Sequence, residues 1–302
     1  MKIYRWCKVL FCILGIFLTT SSEIFAQDNR KVVFTNYTQL RSDYLRLLKK
    51  DGGISTFTSM SALKNVAQNL RENKKVHVEL KYGKKRDIQP EEIIEKRKES
   101  VLIIWKYISA TAQPEKLVQF ATAIVLSEDG ICASNNHVFT SMIERMYKLN
   151  PSDSLLFVST NSGKLYPIKS ILTYSVKGDL ALFKLDTGND KLVPFPIGQD
   201  LAAGAAVGVL AHPEGYPYFY SKGIVARNIS TSSYDPFTNR TEITADYAKG
   251  SSGGAIFDDF GNLVAMVSST RSIYYTDSPQ ANFQMTVKDA VPISSLLRVI
   301  QN

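Results

Sequence analysis

The chain has 302 residues, 44% of them hydrophobic and 11% aromatic, with a formal net charge of +8. That length and apolar content exclude a wholly disordered chain and suit one large domain with a small one, or two medium ones. The charge is uneven: residues 27–98 hold 17 Lys/Arg against 9 Asp/Glu and residues 99–302 hold 16 against 18, so the basic character belongs to the N-terminal third.

In chain order, residues 1–26 read as a secretory signal peptide. Lys2, Arg5 and Lys8 form a basic start, Val9 to Leu18 an apolar run too short to span a bilayer comfortably, and Ile24-Phe25-Ala26 a cleavage site before Gln27. The protein is therefore expected to be exported, periplasmic or secreted. Beyond the leader one cysteine remains, Cys132, which excludes an internal disulfide and reads as buried filler in an apolar strand.

Residues 27–98 are expected to form a small mixed, partly helical N-terminal module. Tyr37, Leu40, Tyr44, Leu45 and Leu48 share a helical face, and Leu63, Val66, Ala67 and Leu70 a second, shorter one. Val76 to Tyr82 alternates like an edge strand, and Pro90 opens a short helix that begins with acids. Lys49-Lys50, Lys74-Lys75, Lys84-Lys85-Arg86 and Lys96-Arg97-Lys98 give this module a possible contact with an anionic surface, while solvated faces are the commoner meaning of such runs.

From Ser100 the texture changes to short strands divided by turns, which predicts a mainly β fold, a sandwich or barrel. The expected strands are Val101–Ile108, Phe120–Leu126, Leu155–Ser159, Leu165–Tyr174, Leu180–Leu185, Ala206–Ala211, Gly223–Ile229, Glu242–Ala245, Ala255–Phe257 and Leu263–Ser268. Another ends just before His137, a helix is expected from Thr140 to Met146, and one closes the chain from Ile293 to Ile300.

The stretch Gly250-Ser251-Ser252-Gly253-Gly254, followed by two apolar runs around a turn, reads as a tight loop feeding a β-hairpin. A serine hydroxyl at such an apex becomes a useful nucleophile when a base reaches it and backbone N–H groups, here those of Gly250 and Ser252, face the oxyanion it creates. Of the three histidines, His77 sits on the polar side of an alternating strand and His212 in an Ala-His-Pro-Glu-Gly turn, leaving His137 as the base. Asp179, set immediately before an apolar strand, is the expected orienting acid; Asp186 at the strand's other end is the runner-up. The order His, Asp, Ser also excludes an α/β-hydrolase built on Gly250-x-Ser252-x-Gly254, since no histidine follows Ser252.

Ser-Asn-Asn-His-Val, Gly-Asp-Leu-Ala-Leu-Phe-Lys-Leu and Gly-Ser-Ser-Gly-Gly-Ala, in that order, resemble the trypsin-like serine peptidases, and more closely their bacterial HtrA-type branch. The resemblance covers about residues 100–300. It implies a chymotrypsin-like double β-barrel with a C-terminal helix, and a peptidase domain over residues 99–302. It makes His137 the base, Asp179 the orienting acid and Ser252 the nucleophile of an endopeptidase acting on protein or peptide substrates. Gly250 and Ser252 would supply the oxyanion hole. The alternative is an inactive protease-fold binding module. Ser251 replaces the aspartate that digestive relatives use to hold a newly cut N-terminus, and no PDZ domain is expected after residue 302. By the same resemblance Asp246, Ser268 and Thr270 would line the substrate pocket. Asp246, six residues before Ser252, is expected either at the pocket floor, favouring Lys or Arg, or bound to loop backbone. Val267–Thr270 would offer an edge to an extended substrate. Metal-ligand spacing and phosphate-cradling loops are absent, so no metal, cofactor or nucleic acid is implied.

Overall fold

The computed structural model describes residues 32–50, 54, 56–86, 88–108, 115–144, 154–276 and 282–301. The expected signal peptide lies outside these residues. The chain divides into two compact units, Met1–Asn36 and Tyr37–Asn302. Of the first, residues 32–36 are described and form no regular element.

In the second unit the N-terminal elements form where the apolar spacing predicts them. Helix α1 (Leu40–Lys49) buries Tyr44 and Leu48, four residues apart on one face, with Asp43 in its first turn and Lys49 in its last. Helix α2 (Met60–Ala67) is capped by Ser59, whose side chain accepts from the Ala62 N–H at 3.1 Å, and buries Met60, Leu63 and Ala67. Strand β1 is only Val76–His77, shorter than the alternation suggests. Helix α3 (Pro90–Arg97) has proline in its first turn, followed by Glu91 and Glu92. It buries Ile93 and Arg97, whose Nε donates to the Gly261 carbonyl at 2.9 Å.

The boundary expected after residue 98 does not separate two cores. Tyr44, Leu48, Val78 and Ile93 belong to the same apolar cluster as Trp105, Phe157, Phe195, Phe257 and Leu296. Two of the basic runs are partly neutralised: Lys49 pairs with Glu115, and Lys96 and Lys98 pair with Glu92 and Glu95.

Two closed six-stranded antiparallel barrels follow. The first contains β2 (Val101–Ile108), β3 (Lys116–Val125), β4 (Ile131–Ser134), β5 (Ser154–Ser159), β6 (Leu165–Ser175) and β7 (Leu180–Leu185), in the order β2-β3-β4-β7-β6-β5. Its interior holds Leu102, Ile104, Cys132, Leu156, Val158 and Phe183. Cys132 is fully buried, and burial pushes its thiol pKa up. Helix α4 (Asn136–Ile143) leaves the end of β4; it starts four residues before the expected Thr140, so His137 stands in its first turn. From α2, Lys64 Nζ donates to the Ser141 carbonyl at 3.2 Å and to that of Glu144, capping the end of α4 with a positive charge.

The second barrel contains β8 (Ala206–Ala211), β9 (Phe219–Ser230), β10 (Asn239–Ile243), β11 (Ala255–Phe257), β12 (Leu263–Tyr274) and β13 (Phe283–Pro292), in the order β10-β13-β12-β11-β8-β9. Val207, Val209, Val225, Ile256, Ala265 and Val267 fill it. Strand β13 falls outside the expected set, and β12 runs to Tyr274 instead of stopping at Ser268, because the two pair as one long ribbon. The closing helix α5 (Ile293–Leu297) ends before Ile300, which joins the short strand β14 (Ile300–Gln301) in parallel with β1.

Candidate active site

The site lies at the seam of the barrels, and each of its side chains sits where a regular element ends. His137 enters from the first turn of α4. Asp179 precedes β7 with φ of 48°, a left-handed conformation that aspartate tolerates better than most residues. Its carbonyl accepts from Asn135 Nδ2 at 2.8 Å, tying the turn to the residue before α4. Ser252 stands in the loop between β10 and β11.

His137 Nε2 is 2.9 Å from Ser252 Oγ. On its other side, Nδ1 lies 3.0 and 3.1 Å from the two carboxylate oxygens of Asp179. The His137 backbone N–H also donates to Asp179 Oδ1, at 3.2 Å. A fourth residue completes the group: Ser268 Oγ donates to Asp179 Oδ2 at 2.5 Å. Ser268 occupies a bulge on β12, between Val267 paired with Ala290 and Ser269 paired with Asp289, and the bulge re-aims its side chain. Asp179 is thus mostly buried and held by several donors, while half of the imidazole side chain is open to solvent.

The loop around Ser252 explains its glycines. Gly250 has φ of 92°, and a Cβ there would meet the His212 carbonyl at 2.9 Å. Gly253 has φ of 82°, and its Cβ would lie 2.2 Å from the Thr122 carbonyl. The loop is pinned by bonds from the Thr122 N–H to the Ser252 carbonyl, 2.8 Å, and from Thr122 Oγ1 to the Gly250 carbonyl, 3.1 Å. Among the described residues, the N–H groups of Gly250 and Ser252 meet no protein acceptor.

A cleft of roughly 170 Å³ opens beside Ser252, lined by Tyr247, Lys249, Val267, Ser268 and Thr270 among others. Ser268 and Thr270 are thus brought to it. Asp246 is not. Its side chain is 80% exposed and accepts from Lys288 Nζ at 2.6 Å, so the carboxylate expected at the pocket floor is corrected to an outward ion pair. The side chain of Lys288 is nearly buried and needs that counter-charge.

The other histidines are not brought to Ser252. His77 is exposed and lines a larger cleft of about 760 Å³, rimmed by lysines and carboxylates and including Asp186, which takes no part in the site. His212 is fully buried; its Nδ1 accepts from the Tyr218 N–H at 2.9 Å, and burial lowers its pKa to about 3. No group of three His, Cys, Asp or Glu suited to a metal occurs among the described residues.

Two closed antiparallel barrels with an imidazole, a carboxylate and a hydroxyl at their seam define the chymotrypsin-like architecture of serine peptidases. Residues 121–266 match the family model described as a trypsin-like peptidase domain. A probable periplasmic serine endoprotease, DegP-like, of Pseudomonas fluorescens is 28% identical over 181 residues, covering 59% of this chain and 33% of the relative. A protein of the same description from Hahella chejuensis is 27% identical over 190 residues, covering 62% and 36%. The solved structure of the HtrA-type protease AlgW with a decapeptide superposes with a TM-score of 0.52 at 16% identity, covering 70% of this chain and 69% of that one; the likeness is one of fold. The chain spans about a third of the length of the DegP-like relatives it matches.

Proposed function

We propose that this protein is an exported serine endopeptidase that cuts polypeptides through an acyl-enzyme, with Ser252 as nucleophile, His137 as general base and Asp179 as orienting acid. One observation carries the reading: a continuous chain of contacts from Ser252 Oγ through both imidazole nitrogens of His137 to the Asp179 carboxylate. A carboxylate on the Nδ1 side favours the tautomer with its proton on Nδ1, which leaves the Nε2 lone pair facing the hydroxyl. His137 then takes the Ser252 proton as Oγ bonds to the scissile carbonyl carbon. The N–H groups of Gly250 and Ser252 stabilise the oxyanion. The imidazolium returns the proton to the leaving amine as the C–N bond breaks, and water, deprotonated by the same ring, releases the acid and restores the serine.

Among the described residues the cleft beside Ser252 is lined by no carboxylate and includes Lys249, so it suits a small or medium uncharged side chain before the scissile bond. Export is supported by the N-terminal leader pattern and by relatives described as periplasmic. The test combines fluorophosphonate labelling with hydrolysis of a peptide library. Wild type is expected to be labelled at Ser252, and Ser252→Ala to lose labelling and roughly 10⁴–10⁶-fold in turnover. Turnover near wild type in that variant would overturn the assignment.

A further inference from the structure

Helix α2 and the turn after it touch both elements that carry the imidazole and the carboxylate toward Ser252. On one side, Met60, Leu63 and Ala67 of α2 share an apolar cluster with Val138, Phe139 and Met142 of α4, the helix that bears His137. Lys64 closes the end of that helix by donating to the carbonyls of Ser141, at 3.2 Å, and of Glu144. Further along the same segment, Glu72 Oε1 accepts from the Val176 N–H at 2.8 Å, and the Asn73 N–H donates to the Tyr174 carbonyl at 2.7 Å. Asn73 makes this bond with φ of 58°, a left-handed conformation that asparagine tolerates.

The Glu72 bond reaches Asp179 through one intervening residue. The Val176 carbonyl accepts from the Asp179 N–H at 3.2 Å, so Val176 is held by Glu72 at its N–H and holds Asp179 at its C=O. The positive φ of Asp179 is a conformation that persists where neighbouring bonds hold it. Other bonds keep the turn folded: the Gly178 N–H donates to Ser175 Oγ at 3.1 Å, and from the second barrel Arg240 Nη2 donates to the Lys177 carbonyl at 2.8 Å. Side-chain packing does not duplicate the Glu72 bond. Between α2, the end of α4 and the end of β6 lies an open cleft of roughly 460 Å³, lined by Leu70, Ile143, Glu144, Tyr174 and Val176 among others. Hydrogen bonds at the rim of that cleft therefore set the spacing there.

We infer that residues 60–73 form a clasp that sets Asp179 against His137, with Glu72 and Lys64 as positioning residues for the proton transfer. This rests on the proposed peptidase reading and gives part of the N-terminal module a role in it. Glu72 fixes the turn that aims the carboxylate, and Lys64 fixes the helix that aims the imidazole. Neither residue lines the cleft beside Ser252. A carboxylate displaced from Nδ1 stabilises less well the imidazolium that forms as Ser252 gives up its proton. The loss then falls on the chemical step and not on substrate binding.

The test measures kcat and KM on a fluorogenic peptide, together with the rate of fluorophosphonate labelling, on the full-length protein. Glu72→Ala removes the acceptor and is expected to lower kcat and the labelling rate about three- to tenfold, the scale of one hydrogen bond at an exposed site, with KM within about twofold. Glu72→Gln keeps an oxygen for the Val176 N–H and is expected to recover most of the rate. Lys64→Met keeps the aliphatic stem without a donor and is expected to lower kcat and labelling by about the same factor. Glu79→Ala, which removes an exposed carboxylate elsewhere in the module, is expected to leave both unchanged. Wild-type kcat in Glu72→Ala or in Lys64→Met, a loss carried by KM alone, or no recovery in Glu72→Gln overturns the inference. Failure of the catalytic reading appears separately, as absence of fluorophosphonate labelling in wild type.

Discussion

Thr122, in the first barrel, hydrogen-bonds the Ser252 backbone in the second: its N–H donates to the Ser252 carbonyl at 2.8 Å. Its hydroxyl donates to the Gly250 carbonyl and accepts from the His212 N–H, each at 3.1 Å. Gln119, on the same strand, donates through Nε2 to the carbonyls of His212 and Pro213, both at 2.8 Å. One buried residue of β3 thus fixes the height of the Ser252 loop against the barrel that carries His137 and Asp179. The distance from Nε2 to Oγ is therefore a property of the barrel seam and not of either barrel alone.

Thr122→Val tests that coupling, because it keeps the shape and the backbone N–H bond while deleting the hydroxyl. It leaves the Gly250 carbonyl and the His212 N–H without their buried partner, a cost of about 1–3 kcal/mol in stability. Since small misplacements of reacting groups are costly, kcat is expected to fall roughly tenfold or more with KM little changed. Unchanged kcat and unchanged rate of fluorophosphonate labelling would show that the seam does not set the geometry.

Ser268 gives the second prediction. Its hydroxyl holds Asp179 Oδ2, the oxygen that also faces His137 Nδ1 at 3.1 Å. Ser268→Ala removes one donor from a mostly buried carboxylate that keeps its bonds to His137, so the fold should tolerate it. We expect kcat to drop roughly ten- to hundredfold, the loss of one hydrogen bond to a charged group. Ser268→Thr keeps the hydroxyl and is expected to recover most of the rate, which a purely steric role would not allow.

How much of this was legible in the sequence follows from the range of each interaction. The short, nearly continuous apolar runs Val101–Ile108 and Leu180–Leu185 carry their strand signal within themselves, and both appear with those limits. The three segments around His137, Asp179 and Ser252 each show a local pattern, so their residues could be named before their proximity was known. Strand β13 was missed although Phe283, Met285 and Val287 alternate with polar residues; its first three residues are exposed, and it is held by its pairing with β12. The bond from Ser268 to Asp179 depends on a bulge set by that same pairing, which no local pattern encodes. The pocket-floor alternative for Asp246 fails for a related reason. An offset of six residues from Ser252 gives proximity along the chain but not the direction of the side chain, and that direction is set by Lys288 on β13.

Asp246→Asn distinguishes the two meanings directly. With the carboxylate outside the cleft, the substitution is expected to leave the preference before the scissile bond within about twofold, since uncharged residues are selected without it. Cleavage profiles over all twenty residues at that position provide the measurement. A selective loss of Lys and Arg cleavage in the variant would restore Asp246 to the pocket.

His212 supplies the last prediction, and it concerns stability. Burial lowers its pKa from the ordinary 6.5 to about 3, so the folded protein keeps the ring neutral where the unfolded chain takes up a proton. The unfolded state binds more protons between those two values, so stability rises with pH across the window. The contribution is complete above 6.5 and is lost as pH falls toward 3, at up to about 1.4 kcal/mol per pH unit. In His212→Asn the amide oxygen can still accept from the Tyr218 N–H, while the titrating group is gone. Urea unfolding of both proteins from pH 7.5 to 4.5 should therefore show the advantage of wild type over the variant shrinking as the pH falls. A difference that stays constant across the range would mean that His212 is not held neutral by its burial.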